Sequence, residues 1–265
     1  MSINISDLLQ PTIVIAENAA AEILKIYRSD FDYQQKSDNT PLTAADLAAH
    51  KLIAESLTNL TPDIPILSEE DAGIPYETRK NWDTYWLVDP LDGTREFIKR
   101  NGEFTVNIAL IKKQLPVLGV IHVPVSGNCY YAVKNSGAFK LEKNGQPQPL
   151  NVRKASASSI HVAGSRSHLD NSLDTFLSNL KQYEITKMGS SLKSCLVAEG
   201  KVDIYPRLGP TSEWDTAAAQ CIVEEAGGFI TTTDLKPLRY NTKDSLLNPH
   251  FLVFGDKSHD WPAYL

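Results

Sequence analysis

Residues 85–94, YWLVDPLDGT, decide how the rest of this chain is interpreted. The first four residues are aromatic or branched, which is typical of a short buried strand. The strand is predicted to end on Asp89, because Pro90 has no N–H to donate to a neighbouring strand. Asp92 comes next, and Gly93 then allows the backbone to turn sharply. The sequence therefore predicts two carboxylates on a rigid turn at the end of a buried strand.

Two carboxylates three residues apart on a rigid turn form an unfavourable arrangement. Like charges repel each other and raise a pKa unless a cation lies between them. The backbone carbonyl of Leu91, between Asp89 and Asp92, offers a third hard oxygen. Hard oxygens without His or Cys suit Mg²⁺ or Mn²⁺ better than zinc. The alternative is an ordinary acidic turn, because Asp, Pro and Gly are common turn residues.

Two further acidic segments lie outside this stretch. SEED occupies residues 68–71, and SEWD occupies residues 212–215. The motif DPLDGT, preceded by SEED and followed by EWDTAA, resembles the Mg²⁺-dependent, lithium-sensitive phosphatases of the inositol monophosphatase superfamily. Within that superfamily, the resemblance is to the bacterial 3'(2'),5'-bisphosphate nucleotidases. The motifs occur in the family's order, and the resemblance covers nearly the whole chain.

The resemblance implies a site for two or three metal ions. It assigns Glu69, Asp89 and the Leu91 carbonyl to a first ion. It assigns Asp89, Asp92 and Asp215 to a second ion. Mg²⁺ is the expected metal, Mn²⁺ is an alternative, and Li⁺ is expected to inhibit. Two neighbouring cations can clamp both the attacking and the leaving oxygen of a phosphoryl transfer.

The resemblance also implies how a metal-activated water attacks the phosphate. The hydroxyl of Thr94 would relay a proton, and the carboxylate of Asp46 would stand behind it, because a hydroxyl alone is a poor base. Glu70 would orient the water. Both acids have structural alternatives. Asp46 lies three residues after Thr43 and can cap a helix there, and Glu70 can be a solvated loop residue.

Polar turns in the second half of the chain are candidates for substrate contact. GSRSH at 164–168 and GSSLK at 189–193 resemble the segments that hold the nucleotide and its second phosphate in bisphosphate nucleotidases. A third turn, at 205–210, carries Arg207. Each residue of these turns has an ordinary loop or helix-cap alternative, and Arg166 can simply be a surface cation. With the acidic loop included, the resemblance implies substrate contacts from Asp92, Gly93, Thr94, Ser165, His168, Gly189, Ser190, Lys193, Arg207 and Asp215.

The pattern of elements predicts an α/β fold in two halves. Residues 1–155 are expected to be an α+β half with an antiparallel sheet, in which strands at 105–112, 115–122, 129–134 and 138–141 follow helices at 7–28 and from Thr43 to before Pro62. Residues 156–265 alternate strands and helices and are expected to be an α/β half. The resemblance implies the layered sugar-phosphatase fold of inositol monophosphatase and fructose-1,6-bisphosphatase.

Composition limits the classes of partner and compartment. The chain has 265 residues and a formal net charge of −6, which argues against a nucleic-acid polymer as partner. Its three cysteines are odd in number and show no C-x-x-C pattern, which favours a reducing compartment. Neither a secretory signal nor a transmembrane run is visible. The predicted location is the cytoplasm, with loose attachment to the inner face of a membrane left open.

These observations together predict a phosphomonoesterase. The resemblance implies removal of the 3'-phosphate of adenosine 3',5'-bisphosphate to give AMP and phosphate, with phosphoadenylyl sulfate as a second candidate substrate. Hydrolysis of an inositol phosphate or a sugar phosphate is the alternative within the superfamily. A non-catalytic metal-binding or nucleotide-binding protein is the alternative from another class. The expected assembly is a monomer or a homodimer with a small-molecule substrate.

Overall fold

Two β-sheets, one on either side of the predicted boundary at residue 155, organise the computed structural model of this chain. The structure describes residues 4–30, 32–35, 41–155, 159–166 and 171–265. The helices are α1 (Ile5–Tyr27), α2 (Ala44–Leu60), α3 (Tyr76–Arg79), α4 (Thr94–Ile98), α5 (Asn171–Leu180), α6 (Leu192–Ala198) and α7 (Glu213–Glu225), with a 3₁₀ turn at Trp261–Tyr264.

The first half contains a short hairpin, β1 and β2, and a seven-stranded sheet that runs in the order β3 to β9. Strands β3 and β4 are parallel, and every later pair is antiparallel, so the predicted meander is confirmed. The strands of this half are β1 (Tyr33–Gln35), β2 (Pro41–Thr43), β3 (Ile66–Ser68), β4 (Thr84–Asp92), β5 (Thr105–Lys112), β6 (Leu115–Val123), β7 (Asn128–Val133), β8 (Ala138–Leu141) and β9 (Gln148–Pro149).

The predicted end of strand β4 is wrong. The strand does not end on Asp89 but continues past Pro90 to Asp92. The ladder to β5 is nevertheless interrupted where the proline lacks an N–H. Asp89 pairs with Asn107 and Asp92 pairs with Thr105, so β4 holds one more residue than β5 across this step, which is a β-bulge.

The second half forms a five-stranded mixed sheet in the order β11, β10, β12, β14, β13. Its strands are β10 (Ile160–Ser165), β11 (Tyr183–Met188), β12 (Ile204–Arg207), β13 (Phe229–Thr232) and β14 (Phe251–Phe254). Strand β10 is parallel to both neighbours, whereas β14 is antiparallel to both of its neighbours. The predicted alternation of strands and helices is confirmed, and the last two strands add the antiparallel edge.

The layers stack as helix, sheet, helix, sheet and helix. Apolar residues of α1 and α2 pack against one side of the first sheet. Residues of α6 and α7 join the other side of that sheet to the second sheet in one continuous core. Helix α5 and the 3₁₀ turn cover the outer side of the second sheet. Because α7 contacts strands of both sheets, the two halves share a core, and the predicted layered fold is confirmed.

Local sequence explains several of the helix ends. Thr43 caps α2 through a capping box with Asp46, as the spacing predicted. Ser212 and Asp215 form the same arrangement at α7. No local signal predicted α3, α4 or the hairpin of β1 and β2. Within the described residues, none of the helices has the length and apolar character that crossing a bilayer requires.

Candidate active site

One cavity, of about 220 Å³, lies where the end of β4 meets the start of α7 and the turn between β11 and α6. Residues predicted to be functional make up much of its wall. They are Glu69, Asp89, Leu91, Asp92, Gly93, Thr94, Ser165, Gly189, Ser190, Lys193, Arg207 and Asp215. Gly164 and Ser165, predicted to follow a strand, are instead the last two residues of β10, and residues 189–191 follow β11. Both segments therefore lie at the carboxyl ends of parallel strands, where α/β sheets commonly bind ligands.

Three carboxylates from two distant parts of the chain meet in this cavity. Asp89, Asp92 and Asp215 each offer an oxygen, and these oxygens lie within 4.8 Å of one another. The bulge in β4 brings the first two together, because the extra residue lets both side chains approach the same point. The third comes from the first turn of α7, where a carboxylate also interacts favourably with the helix dipole.

The acidic cluster is electrostatically unfavourable by itself. Burial raises the pKa of Asp89 well above its ordinary value, and the charges of Glu69 and Asp92 raise this pKa further. Burial likewise raises the pKa of Asp215, again with a contribution from the carboxylate of Asp92. A cation between these groups would favour their ionised forms. Because the cluster offers only hard oxygens, its donor set fits an ion of the Mg²⁺ type.

Hydrogen bonds from the second half of the chain hold Asp92 in place. Its Oδ2 accepts from the backbone N–H of Ser191 at 2.6 Å and lies 2.7 Å from the Ser191 hydroxyl. The same hydroxyl lies 2.9 Å from the carbonyl of Asp215. The amide of Asn107 donates to Ser191 Oγ at 2.9 Å. Sequence reasoning missed both Ser191 and Asn107, since nothing near them in the chain marks their distant partners.

Asp46 belongs to the N-terminal cap of α2 and also contacts Thr94. Its Oδ2 accepts from the backbone N–H of Thr43 at 2.7 Å, and its Oδ1 accepts from the Thr94 hydroxyl at 3.3 Å. The structural and catalytic interpretations of Asp46 are therefore compatible in geometry. Gly93 precedes Thr94 with a φ of +94°, a left-handed conformation that favours glycine.

The turn between β11 and α6 leaves no space for a side chain at Gly189. A Cβ there would lie 2.6 Å from both the Glu103 carbonyl oxygen and Cγ of Glu96. The backbone N–H of Gly189 donates to the Glu103 carboxylate at 2.8 Å. Lys193 is buried beneath the turn and donates to the Ser190 carbonyl at 2.6 Å. Burial lowers the pKa of Lys193 to about 8.

The remaining predicted residues differ in their placement. Arg207 lines the cavity and donates to the carbonyl of Pro210 at 2.9 Å. Arg166 is a surface cation, as expected, and its guanidinium binds both oxygens of Glu103 at 2.7 Å. Glu70 is not among the described residues that line the cavity. His168 lies outside the described residues.

Comparison with known proteins identifies the family to which this chain belongs. The inositol monophosphatase family matches residues 5–259, which is nearly the whole chain. This protein belongs to the inositol monophosphatase family. Enzymes of the family depend on metal ions, and the acidic cluster of Asp89, Asp92 and Asp215 can bind one.

Individual members of the family resemble this chain along most of their length. The 3'(2'),5'-bisphosphate nucleotidase CysQ of Salmonella typhimurium is 49% identical over 248 residues, covering 93% of this chain and 99% of that protein. The protein of the same name from Escherichia coli strain K12 is 48% identical over 241 residues, covering 90% and 96%. The crystal structure of CysQ from Bacteroides thetaiotaomicron superposes with a TM-score of 0.81 at 43% identity, covering 94% and 97%.

Proposed function

We propose that this protein is a Mg²⁺-dependent 3'(2'),5'-bisphosphate nucleotidase. Its reaction is hydrolysis of the 3'-phosphate of adenosine 3',5'-bisphosphate to AMP and inorganic phosphate, and phosphoadenylyl sulfate is a second substrate. Support for a bisphosphate nucleotide as substrate comes from relatives named 3'(2'),5'-bisphosphate nucleotidase, which are 48–49% identical over at least 90% of this chain. The observation that carries the phosphatase chemistry is the meeting of Asp89, Asp92 and Asp215 in one cavity.

The metal ligands follow from the acidic cluster. Asp89, Asp92 and Asp215 would hold Mg²⁺ or Mn²⁺, with further oxygens from Glu69 and the Leu91 carbonyl, which line the same cavity. When bound, the metal neutralises phosphate charge and lowers the pKa of water so that a nucleophile forms near neutral pH. Inhibition by Li⁺ belongs to this proposal through the family resemblance alone.

The side chains of Thr94 and Asp46 supply the proton acceptor. The Thr94 hydroxyl donates to Asp46 Oδ1, which leaves the lone pairs of its oxygen free to accept a proton from an attacking water. As that proton moves to Thr94 Oγ1, the proton of the hydroxyl moves to the Asp46 carboxylate. The contact from the Thr43 N–H to the other oxygen of Asp46 keeps the carboxylate in this orientation. Glu70 lies near the candidate ligand Glu69 in sequence and remains a candidate for orienting the water.

Substrate contacts come from both halves of the chain. Asp92, Gly93, Thr94 and Asp215 line the cavity and would contact the phosphate that is cleaved. The cationic groups of Lys193 and Arg207 line the cavity and suit the second phosphate of a nucleotide. The backbone of Gly189 and Ser190 and the hydroxyl of Ser165 would bind the remainder of the substrate, as would His168.

The test is phosphate release from adenosine 3',5'-bisphosphate by the wild-type protein with Mg²⁺, and then after chelation. We expect turnover with Mg²⁺ and its loss on chelation. Asp92→Asn keeps the size of the side chain but removes a charge from the cluster, and we expect it to lower kcat at least about 100-fold. Asp234→Asn is the control, because Asp234 is an exposed acid paired with Lys236. Full activity of Asp92→Asn with unchanged Mg²⁺ dependence would contradict the metal assignment.

A further inference from the structure

Arg79 is a buried cation outside the candidate active site. It ends α3, in the segment that joins β3 to β4, and only 1% of its surface is exposed. Its guanidinium stacks over the Tyr76 ring, 5.0 Å from the ring centre. A buried charge is stable in a protein only when other groups replace the water it has lost. The partners of Arg79 therefore indicate what this residue does.

Among the described residues, the hydrogen-bond partners of the Arg79 guanidinium lie in residues 241–248, which we call the 241–248 loop. The guanidinium donates to Asn241 Oδ1 at 2.6 Å, to the Lys243 carbonyl at 3.1 Å, and to the Asp244 carbonyl. The Asn241 amide in turn donates to the carbonyl of Arg79 at 2.5 Å. One side chain of the first half thus fixes a loop more than 160 residues away in sequence.

The same loop encloses the start of α7. The Asn241 N–H donates to the carboxylate of Glu213 at 2.8 Å, and the Leu246 carbonyl accepts from the Glu213 N–H at 2.8 Å. The Asn248 amide donates to the Ser212 carbonyl at 2.6 Å and to the Thr216 hydroxyl at 3.1 Å. These contacts surround the turn of helix that carries Asp215.

The two sets of contacts join opposite sides of the candidate metal centre. Arg79 lies between β3 and β4, which lead into Glu69 and Asp89, whereas the 241–248 loop holds the helix end that carries Asp215. Removal of the guanidinium would leave the Lys243 and Asp244 carbonyls without their donors. The loop would then lose its fixed position relative to β4, and Asp215 would lose its fixed distance from Asp89.

We infer that Arg79 is a positioning residue for the metal centre, which it stabilises by holding the 241–248 loop against the start of α7. The inference rests on the proposed function only in taking Asp215 as a metal ligand. Substitutions behind a ligand commonly weaken metal binding about 10–100-fold. A direct measurement of metal binding therefore tests the role of Arg79 without reference to any substrate.

The experiment measures Mn²⁺ binding to the full chain by electron paramagnetic resonance, with thermal unfolding and steady-state kinetics on the same samples. We expect Arg79→Met to bind Mn²⁺ roughly 10-fold or more weakly than wild type. Arg79→Lys keeps the charge but not the two-pronged geometry, so we expect it to recover part of the affinity. At saturating metal, kcat should recover towards the wild-type value while KM changes little.

Arg153→Met is the matched control. Arg153 also donates through two nitrogens, in its case to the carboxylate of Asp203 at 2.8 and 2.9 Å, and it lines no part of the cavity. We expect this variant to lower Tm while leaving Mn²⁺ affinity within about twofold of wild type. Equal losses of affinity in Arg153→Met and Arg79→Met would show a general effect of instability and would overturn the inference.

A second variant covers the case in which Arg79→Met does not fold. Asn248→Ala removes the contacts to Ser212 and Thr216 from the other end of the loop and leaves the buried arginine in place. We expect weaker Mn²⁺ binding here too. Wild-type Mn²⁺ affinity in folded Arg79→Met, or in Asn248→Ala if Arg79→Met does not fold, would overturn the inference. Failure of wild type to hydrolyse the bisphosphate, with metal binding sensitive to Arg79, would instead count against the proposed substrate alone.

Discussion

Thr94 is the residue at which binding and chemistry can be separated most cleanly. The Thr94 hydroxyl lies 3.3 Å from Asp46 Oδ1, and Thr94 directly follows the turn at Gly93. We expect Thr94→Ala to lower kcat by about 10²–10⁴, the usual contribution of a positioned acid or base, with little change in KM. Steady-state kinetics on adenosine 3',5'-bisphosphate measures both constants.

Thr94→Ser is the matched variant, because it keeps the hydroxyl and removes only a methyl group. We expect it to retain most of the wild-type kcat. If Thr94→Ala instead raised KM and left kcat unchanged, Thr94 would be a binding residue and the proposed proton transfer to Asp46 would be wrong.

The sequence predicted the acids of the site better than the residues that orient them. Asp89 and Asp92 stand out because they lie together on one short segment with turn residues around them. Glu103, Asn107 and Arg79 have no such local mark. Their partners Arg166, Ser191 and Asn241 are 63, 84 and 162 residues away, so only the folded chain brings each pair together.

At the scale of elements, the turn between β11 and α6 joins the substrate side of the cavity to the metal side. Gly189 packs against Glu103 with no space for a Cβ, and Ser191 two residues later holds Asp92. We expect Gly189→Ala to shift this turn, to destabilise the protein by about 1–3 kcal/mol, and to lower kcat/KM roughly 10-fold or more.

Gly73→Ala is the control for that substitution. A Cβ at Gly73 would meet no atom within 4 Å, so the same added methyl group should leave both Tm and kcat/KM near wild type. Thermal unfolding and phosphate release measure the two quantities. Equal behaviour of the two alanine variants would mean that the turn adjusts freely and does not hold Asp92.

Strand β4 shows why elements could be predicted while their exact shape could not. Hydrophobic alternation and turn residues located the strands of the meander to within a residue or two, because those signals are local. The absence of an N–H at Pro90 predicted a break. That the chain crosses the break as a bulge and pairs again at Asp92 depends on the partner strand β5, which the local sequence does not specify.

At the scale of the whole molecule, the acidic cluster links stability to pH and to metal. The folded state raises the pKa of Asp89 and Asp215 above their ordinary value. These groups therefore bind more protons when folded than when unfolded, and their contribution to stability is lost as the pH rises through the raised pKa. We expect the metal-free protein to lose Tm between about pH 5 and about pH 8 because of this cluster, and Mg²⁺ to restore it.

Asp89→Asn isolates the effect of the cluster on Tm. It removes one repelling charge, so the metal-free variant should unfold at a higher temperature than wild type near pH 8, by roughly 2–4 °C for each kcal/mol gained. The difference should shrink as the pH falls, because the raised pKa of Asp89 lets this carboxyl take up a proton in the folded wild type. A difference that grew as the pH fell would have the wrong sign and would contradict the electrostatic account.

The layered fold and the family could be predicted from motifs that span the chain, but these motifs do not determine the substrate.

The most direct test compares kcat/KM with Mg²⁺ for adenosine 3',5'-bisphosphate, myo-inositol 1-phosphate and fructose 1,6-bisphosphate. The proposed function predicts strong preference for the nucleotide. Preference for the inositol or sugar phosphate would support the metal centre but contradict the nucleotidase assignment. Absence of turnover on all three substrates would contradict both the metal centre and the nucleotidase assignment.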